Sequence, residues 1–243
     1  SADTIKNSFL KKKAAFWHAN KLISDEQYAS ILQKYSATLQ TPNVFVKIGL
    51  FIFILFIVLA SLGIYSLFFS SIMYNSNNGI GFGIFTCLLY TAACFFVLEW
   101  FIKNKKIHNT GTDEALLYIG LTFLAVGIFL VTDEISSDSP LLFLITALPF
   151  ITFAVIRYAD RITTLVLSFC VYAILFLVIM KLGDIAKLIM PFALMLFSAF
   201  LYFQTKKFTS KADLFYWRSC IKVIEFVALI VFYVACNYYV IRE

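Results

Sequence analysis

Seven long apolar segments, separated by short polar connectors, constrain what this chain can fold into more than any other feature of its sequence. They occupy residues 44–70, 78–102, 113–132, 140–156, 162–180, 184–204 and 219–239. A helix needs about 20 residues to cross the roughly 30 Å hydrocarbon core of a bilayer. Because backbone polar groups in lipid must be hydrogen-bonded within the chain, such segments cross as helices. The pattern predicts an all-α polytopic membrane protein with seven transmembrane helices.

The overall composition points to the same solvent. The chain has 243 residues, of which 61% are hydrophobic and 14% are charged. Soluble domains contain about 25% charged residues, and a globule of this size could not hide so much apolar surface from water. We therefore expect the lipid bilayer to be the main partner of this chain.

The distribution of Lys and Arg predicts how the helices are oriented. Most of the 20 basic residues fall in residues 1–43 and in the connectors on the same side of the membrane as that segment. Apart from Lys222, which lies inside the last apolar segment, the opposite side receives only Lys181, Lys187 and Arg242. Cytoplasmic loops carry the excess of basic residues, so we expect a cytoplasmic N-terminus and an exported C-terminus. The first apolar segment follows a polar stretch too long for a signal sequence, and we expect it to stay in the protein as an anchor.

The formal net charge of +6 could indicate a nucleic-acid partner. The basic residues, however, lie before and between the apolar segments rather than along one groove that could follow a phosphate backbone. We interpret them as topology signals, and no nucleic-acid partner is expected.

Residues 1–43 form a polar segment ahead of a membrane domain at residues 44–243. Ser24 and Gln27 have the spacing of a capping box, which places Ser24 at the start of a helix. With an earlier helix at residues 3–20, this helix is predicted to form a short cytoplasmic hairpin. The second helix carries an apolar stripe that is a candidate partner-binding surface, formed by Tyr28, Ile31, Leu32 and Tyr35. Packing on the first helix, contact with the lipid surface and binding of another protein all remain open for this stripe.

Charged residues inside membrane spans are the best functional indicators, because each is costly in lipid unless it is paired. Glu99 lies near the end of the second span, and Lys222 and Glu225 lie one turn apart in the last. These three residues are the candidate polar site. Interfacial ion pairing, Lys222 with Glu225 and Glu99 with Lys103, is one interpretation. A polar pocket or proton site open to the cytoplasm is the other.

The sequence offers little else for catalysis or for a cofactor. It has no phosphate-binding glycine-rich loop and no His-Glu-x-x-His or Gly-x-Ser-x-Gly motif. His18 and His108 both lie outside the spans, which excludes a haem held between membrane histidines. We expect reduced, buried packing residues at the five cysteines, Cys87, Cys94, Cys170, Cys220 and Cys236. No catalytic residue, cofactor or metal ligand is predicted.

Two stretches resemble a known family. Residues 20–28, NKLISDEQY, continue into ILQKY at residues 31–35; residues 114–120, EALLYIG, lead to GIFLV at residues 127–131. These are similar to the N-terminal segment and the third helix of predicted bacterial membrane proteins, the domain-of-unknown-function family twenty-one fifty-seven. The resemblance implies a location in the bacterial inner membrane and adds no established activity and no catalytic residues.

Three function classes follow, in order of preference. The first is a non-catalytic inner-membrane protein that serves as a partner or accessory subunit for another membrane or cytoplasmic protein. The alternative is a small-solute or ion transporter that uses the region of Glu99, Lys222 and Glu225. A membrane enzyme is the third, and the lack of a familiar catalytic motif makes it the least favoured.

Overall fold

The computed structural model describes residues 10–11, 14–35, 43–75, 79–105, 111–135, 139–209 and 217–242. Within these residues all regular secondary structure is helical, and seven helices are long and apolar enough to cross a membrane. The predicted fold class is confirmed: this is an all-α, multi-pass membrane protein. Parts of the predicted first helix, at residues 3–9 and 12–13, lie outside the described residues.

The helices follow the apolar segments of the sequence closely. The first, α1 (Asp25–Lys34), belongs to the N-terminal hairpin, where residues 14–19 are also helical. The membrane-spanning helices are α2 (Val44–Asn75), α3 (Gly79–Lys105), α4 (Thr112–Ile135), α5 (Ser139–Tyr158), α6 (Arg161–Lys181), α7 (Asp184–Thr209) and α8 (Arg218–Arg242). Each contains one of the predicted spans almost completely, so the apolar pattern located the helices correctly.

Two tight connections follow from local chemistry. Between α5 and α6, Asp160 caps the new helix, and its carboxylate accepts a hydrogen bond of 2.8 Å from the backbone N–H of Thr163. Between α6 and α7, Leu182 is the C-cap of α6 and Gly183 follows it. The φ of Gly183 is +106°, a backbone conformation that favours glycine.

The chain divides into two compact units, Ser1–Phe123 and Leu124–Glu243. The helix α4 passes from one to the other. This division reflects packing, whereas the boundary predicted after residue 43 reflects polarity. The polarity boundary stays a prediction.

In the first unit, close approaches join α2, α3 and α4. The Lys47 ammonium of α2 lies 2.5 Å from the Glu114 carboxylate of α4. A Cβ placed on Gly120 of α4 would lie 3.2 Å from Cys94 Cβ of α3, so glycine lets these helices approach closely. The ring of Tyr90 stacks on that of Phe123 with centroids 5.0 Å apart.

In the second unit α6 packs against α5, α7 and α8, and α7 and α8 form the most extensive pair. The residues at these interfaces are mostly small, as is common where helices associate in lipid. Those buried almost completely include Ala147, Ala154, Ser198, Ala228 and Ala235.

The outward surfaces of the spans are strongly apolar. In the most apolar window of α2 no residue is buried, and Phe45, Leu67 and Phe68 are each more than three-quarters exposed. Such a surface would be unfavourable in water but costs nothing against lipid tails, which are equally apolar. The bilayer is the solvent that this fold requires.

Candidate functional site

The turn of the N-terminal hairpin is built by a reciprocal cap. The Ser24 hydroxyl accepts a hydrogen bond of 3.3 Å from the Gln27 backbone N–H. The Gln27 side-chain oxygen accepts one of 3.1 Å from the Ser24 N–H. This capping box is the one that the sequence predicts, and it fixes where α1 begins.

His18 holds the preceding segment against α1. Its Nε2 lies 2.6 Å from a carboxylate oxygen of Asp25, and its ring stacks on Tyr28 with centroids 4.5 Å apart. The backbone N–H of Leu22 donates to the Trp17 carbonyl at 2.8 Å and closes the turn. The sequence did not predict these contacts, because a His seven residues before an Asp is too common a pattern to indicate an interaction.

A shallow concave surface lies on this turn. It is open to one side and is lined by His18, Ala19, Lys21, Leu22, Ile23, Ser24 and Asp25. Leu22 is 67% exposed within it. The lining therefore combines an apolar side chain with both signs of charge, which suits a protein surface better than a small metabolite.

The four residues of the predicted stripe are all half-buried, while their neighbours Ala29, Ser30, Gln33 and Lys34 are exposed. Tyr28 is the stripe residue that packs on His18. No residue of α1 is fully buried. The hairpin therefore covers its apolar stripe only in part, and Ile31, Leu32 and Tyr35 keep accessible surface.

The candidate polar residues fall in different units. Glu99 is half-buried in α3 of the first unit. Lys222 and Glu225 belong to α8 of the second; Lys222 is exposed and the Glu225 side chain is 24% exposed. A joint role for the three residues stays a prediction.

Glu225 has a partner that sequence analysis did not identify. The Nζ of Lys206, on α7, lies 4.0 Å from a Glu225 carboxylate oxygen. The same ammonium donates a hydrogen bond of 3.3 Å to the Tyr202 hydroxyl, one turn earlier. Because Lys206 ends one span and Glu225 begins the next, local spacing within a helix could not indicate this pair.

A second polar cluster lies where α6 and α8 both begin. The Arg161 guanidinium donates a hydrogen bond of 3.3 Å to the Ser219 hydroxyl, and the Cys220 thiol donates to the Asp160 carbonyl at 3.6 Å. We call the end of the second unit where α6 and α8 begin and α7 ends the basal end. There, side chains and caps of three helices are joined by polar contacts.

From the basal end a line of buried hydroxyl groups runs along α6. Thr164, Ser168 and Tyr172 recur at every fourth residue and are all buried. Thr164 and Ser168 donate to backbone carbonyls one turn earlier, at 2.6 and 2.9 Å. The Tyr172 hydroxyl lies 3.0 Å from that of Ser198 on α7. The sequence spacing could have revealed this line, but hydroxyls that bond their own helix are ordinary in membranes.

The described residues contain no group of three or more His, Cys, Asp or Glu side chains that could hold a metal ion. All five cysteines are free thiols. Cys87, Cys94 and Cys220 are buried as expected and Cys170 is half-buried, but Cys236 is exposed, so the prediction of burial was wrong there. A weakly polar thiol is tolerated at an exposed position of a membrane span because it behaves as a small hydrophobic group.

The chain was compared with family models, with curated proteins and with solved structures, and none of them matches. The resemblance to the family of predicted bacterial membrane proteins stays a prediction.

Proposed function

We propose that this chain is a non-catalytic protein of the bacterial inner membrane that serves as a partner or accessory subunit. In this proposal residues 1–43 are cytoplasmic, the C-terminus is exported, and the N-terminal hairpin is the docking element. The single observation that carries it is the incomplete cover over the stripe on α1, where Ile31, Leu32 and Tyr35 are only half-buried beside a turn that is closed by the capping box.

A rigid surface with open apolar positions favours association. The cap and the His18 contacts fix the hairpin turn before any partner arrives, so little conformational entropy is lost on binding. Apolar side chains at helical spacing bind an amphipathic helix of a partner through its own apolar face. We therefore expect the occupant to be a protein helix.

The charges on α1 argue against the lipid surface as the occupant. Helices that lie in a membrane interface are rich in Lys and Arg on their polar face. The first turn of α1 carries the acidic residues Asp25 and Glu26, and its last turn carries one basic residue, Lys34. Anionic lipid would repel the first turn, whereas a protein partner with basic residues would attract it.

The test compares two substitutions that introduce the same carboxylate at a half-buried and at an exposed position of α1. Leu32→Asp places a charge on the stripe, and Gln33→Asp places it on the exposed face. Native purification of each full-length variant, with identification of bound chains by mass spectrometry, should recover a stoichiometric partner with wild type and Gln33→Asp. Leu32→Asp should reduce its recovery at least about tenfold, because a buried unpaired carboxylate costs several kcal/mol.

Two controls accompany this experiment. Both variants must reach the membrane in wild-type amount, and limited proteolysis of residues 14–35 must show that the turn is intact. Equal partner recovery with both variants would contradict docking through the stripe. Binding of the hairpin to anionic vesicles, lost in Leu32→Asp, would identify the lipid surface as the occupant instead.

Transport of a small solute or ion is the second candidate, because Glu225 is a half-buried acid inside a membrane span. Its position beside Lys206 is also that of a structural ion pair. Loss of cation uptake by Glu225→Gln in proteoliposomes, at unchanged protein level, would favour transport over docking.

A further inference from the structure

The basal end of the second unit carries an unusual amount of positive charge. Between residues 206 and 222 the sequence has five basic residues and a single acidic one, Asp213. The described members of this set are exposed: Lys206, Lys207, Arg218 and Lys222. The excess is concentrated where α7 ends and α8 begins.

The geometry of α8 arranges part of this charge in a row. Arg218, Lys222 and Glu225 are spaced i, i+4 and i+7, so they share one face of the helix. Lys206 of α7 reaches the inner end of that row, because its Nζ lies 4.0 Å from Glu225. The result is a seam between α7 and α8, the cationic seam, formed by Lys206, Arg218 and Lys222.

The nearby carboxylates offset only part of this charge. Asp160 is the N-cap of α6, and its carboxylate accepts hydrogen bonds from the backbone N–H and the hydroxyl of Thr163. Glu225 pairs with Lys206 at 4.0 Å and so offsets one of the three cations of the seam. The guanidinium of Arg161 adds a further positive group at the first turn of α8 through Ser219.

Beside the cations the surface becomes apolar on the same helix faces. Phe203 lies three residues before Lys206 and is 72% exposed, and Phe226 lies four residues after Lys222 and is 62% exposed. Tyr202 and Trp217, both half-buried, lie at the level of the cations, where aromatic rings with a polar edge are found at membrane interfaces. The cations match the headgroup of a phospholipid, and the apolar rings one turn deeper match its acyl chains.

We propose that the cationic seam binds the phosphodiester headgroup of an anionic phospholipid, whose acyl chains run along Phe203 and Phe226. Basic sites between transmembrane helices are suited to anionic headgroups, and each Lys or Arg near the surface strengthens the attraction. A free phosphate ion offers the same charge but has nothing to place against the two exposed rings. The lipid is therefore the occupant that uses the whole surface.

The experiment measures lipid retention by the full-length protein in neutral detergent. Native mass spectrometry, after titration with phosphatidylglycerol or phosphatidylcholine, gives the affinity for each lipid. The double substitution Lys206→Gln with Lys222→Gln should weaken phosphatidylglycerol binding about thirtyfold, since each cation contributes about a fivefold step. Phosphatidylcholine binding should change less than about twofold, because its headgroup carries no net charge.

The matched control is Lys103→Gln, which removes an exposed cation from the end of α3 in the first unit. It should leave phosphatidylglycerol binding within about twofold of wild type. The charge-retaining pair Lys206→Arg with Lys222→Arg should bind as wild type does, and its thermal unfolding confirms that the seam tolerates substitution. Equal losses per removed charge in Lys103→Gln and the seam variant would overturn the proposal, since binding would then follow total charge. Displacement of the lipid by about 10 mM inorganic phosphate, with equal thermal stabilisation by phosphate alone, would identify a phosphate site and also overturn it.

Discussion

At the scale of single residues, Gly111 shows how one backbone position constrains a helix junction. It precedes α4 with a φ of +93°, and its carbonyl accepts the first hydrogen bond of that helix from Ala115, at 2.9 Å. A Cβ at this position would overlap the backbone carbonyl oxygen of Lys47 on α2. Lys47 is also the partner of Glu114, in the first turn of α4. Glycine therefore allows the ion pair and the backbone contact to coexist.

The first prediction separates the steric role of Gly111 from its conformational role. Gly111→Ala should lower the free energy of unfolding by about 3 kcal/mol or more, because it combines a positive φ with a clash against backbone. Gly183→Ala has a similar φ but no atom within 4 Å of the added Cβ, so it should cost only about 1 kcal/mol. Gly49→Ala lies within a helix in open space and should be neutral or stabilising.

Unfolding of purified protein in mixed detergent micelles, followed by circular dichroism, gives the three values. The order Gly111→Ala, Gly183→Ala, Gly49→Ala, from most to least destabilised, is expected. A Gly111→Ala variant no weaker than Gly183→Ala would show that the contact with Lys47 does not constrain the junction.

At the scale of helices, the second unit is held by small residues and a few hydroxyl contacts. Ser198 is fully buried on α7 and faces Tyr172 of α6, with the two hydroxyl oxygens 3.0 Å apart. The Tyr172 ring also meets Phe197 edge to face, with centroids 5.5 Å apart. Helix association in lipid relies on such packing and hydrogen bonding. Lipid tails are as apolar as the helix surfaces, so the hydrophobic effect does not drive the helices together.

The second prediction concerns the coupling between these two hydroxyls. In a double-mutant cycle, Tyr172→Phe and Ser198→Ala should show an interaction energy of about 0.6 kcal/mol, with an upper bound of roughly 1.7 kcal/mol. Tyr233→Phe, at a tyrosine that is 69% exposed on α8, is the matched control and should change stability very little. Additive effects of the two α6–α7 substitutions would mean that the hydroxyls do not bond each other.

Helix positions were predictable because they depend on local sequence. Apolar segments of sufficient length must be helical in lipid, the Ser24 capping box uses residues three apart, and Asp160 caps the residue three positions later. The contacts between helices were not predictable in the same way. Lys206 with Glu225 and Lys47 with Glu114 join residues on different spans, and many other pairings of charges would satisfy the same sequence.

The same distinction between local spacing and contacts through space separates the two candidate sites. The stripe on α1 was predicted from helical periodicity; Tyr28, Ile31 and Leu32 are the half-buried residues of that helix, and Tyr35 is half-buried at its C-cap. Its role in binding a partner stays a prediction. The polar site depended on distances through space. Helical spacing suggested Lys222 as the partner of Glu225, but the nearer described cation comes from the neighbouring helix.

At the scale of the whole molecule, the orientation in the membrane determines what each surface can meet. The hairpin can dock a cytoplasmic partner only if residues 1–43 are cytoplasmic. The same orientation places the end of α3 and the basal end of the second unit on the cytoplasmic side, since two spans separate residues 1–43 from the end of α3 and four or six separate them from the basal end. Basic residues are concentrated on that side, which is the arrangement that favours retention in the cytoplasm.

The last prediction tests this orientation directly. A reporter that is active only in the periplasm should be active when fused after Glu243 and silent when inserted between residues 103 and 112, because seven spans place these positions on opposite sides. A reporter active only in the cytoplasm, fused at the same two positions, should give the reverse pattern. Equal abundance of the four fusions, measured by immunoblot, excludes degradation as the cause of silence. Periplasmic activity at residues 103–112 with silence after Glu243 would show that the protein has the opposite orientation. The hairpin could not then meet a cytoplasmic partner.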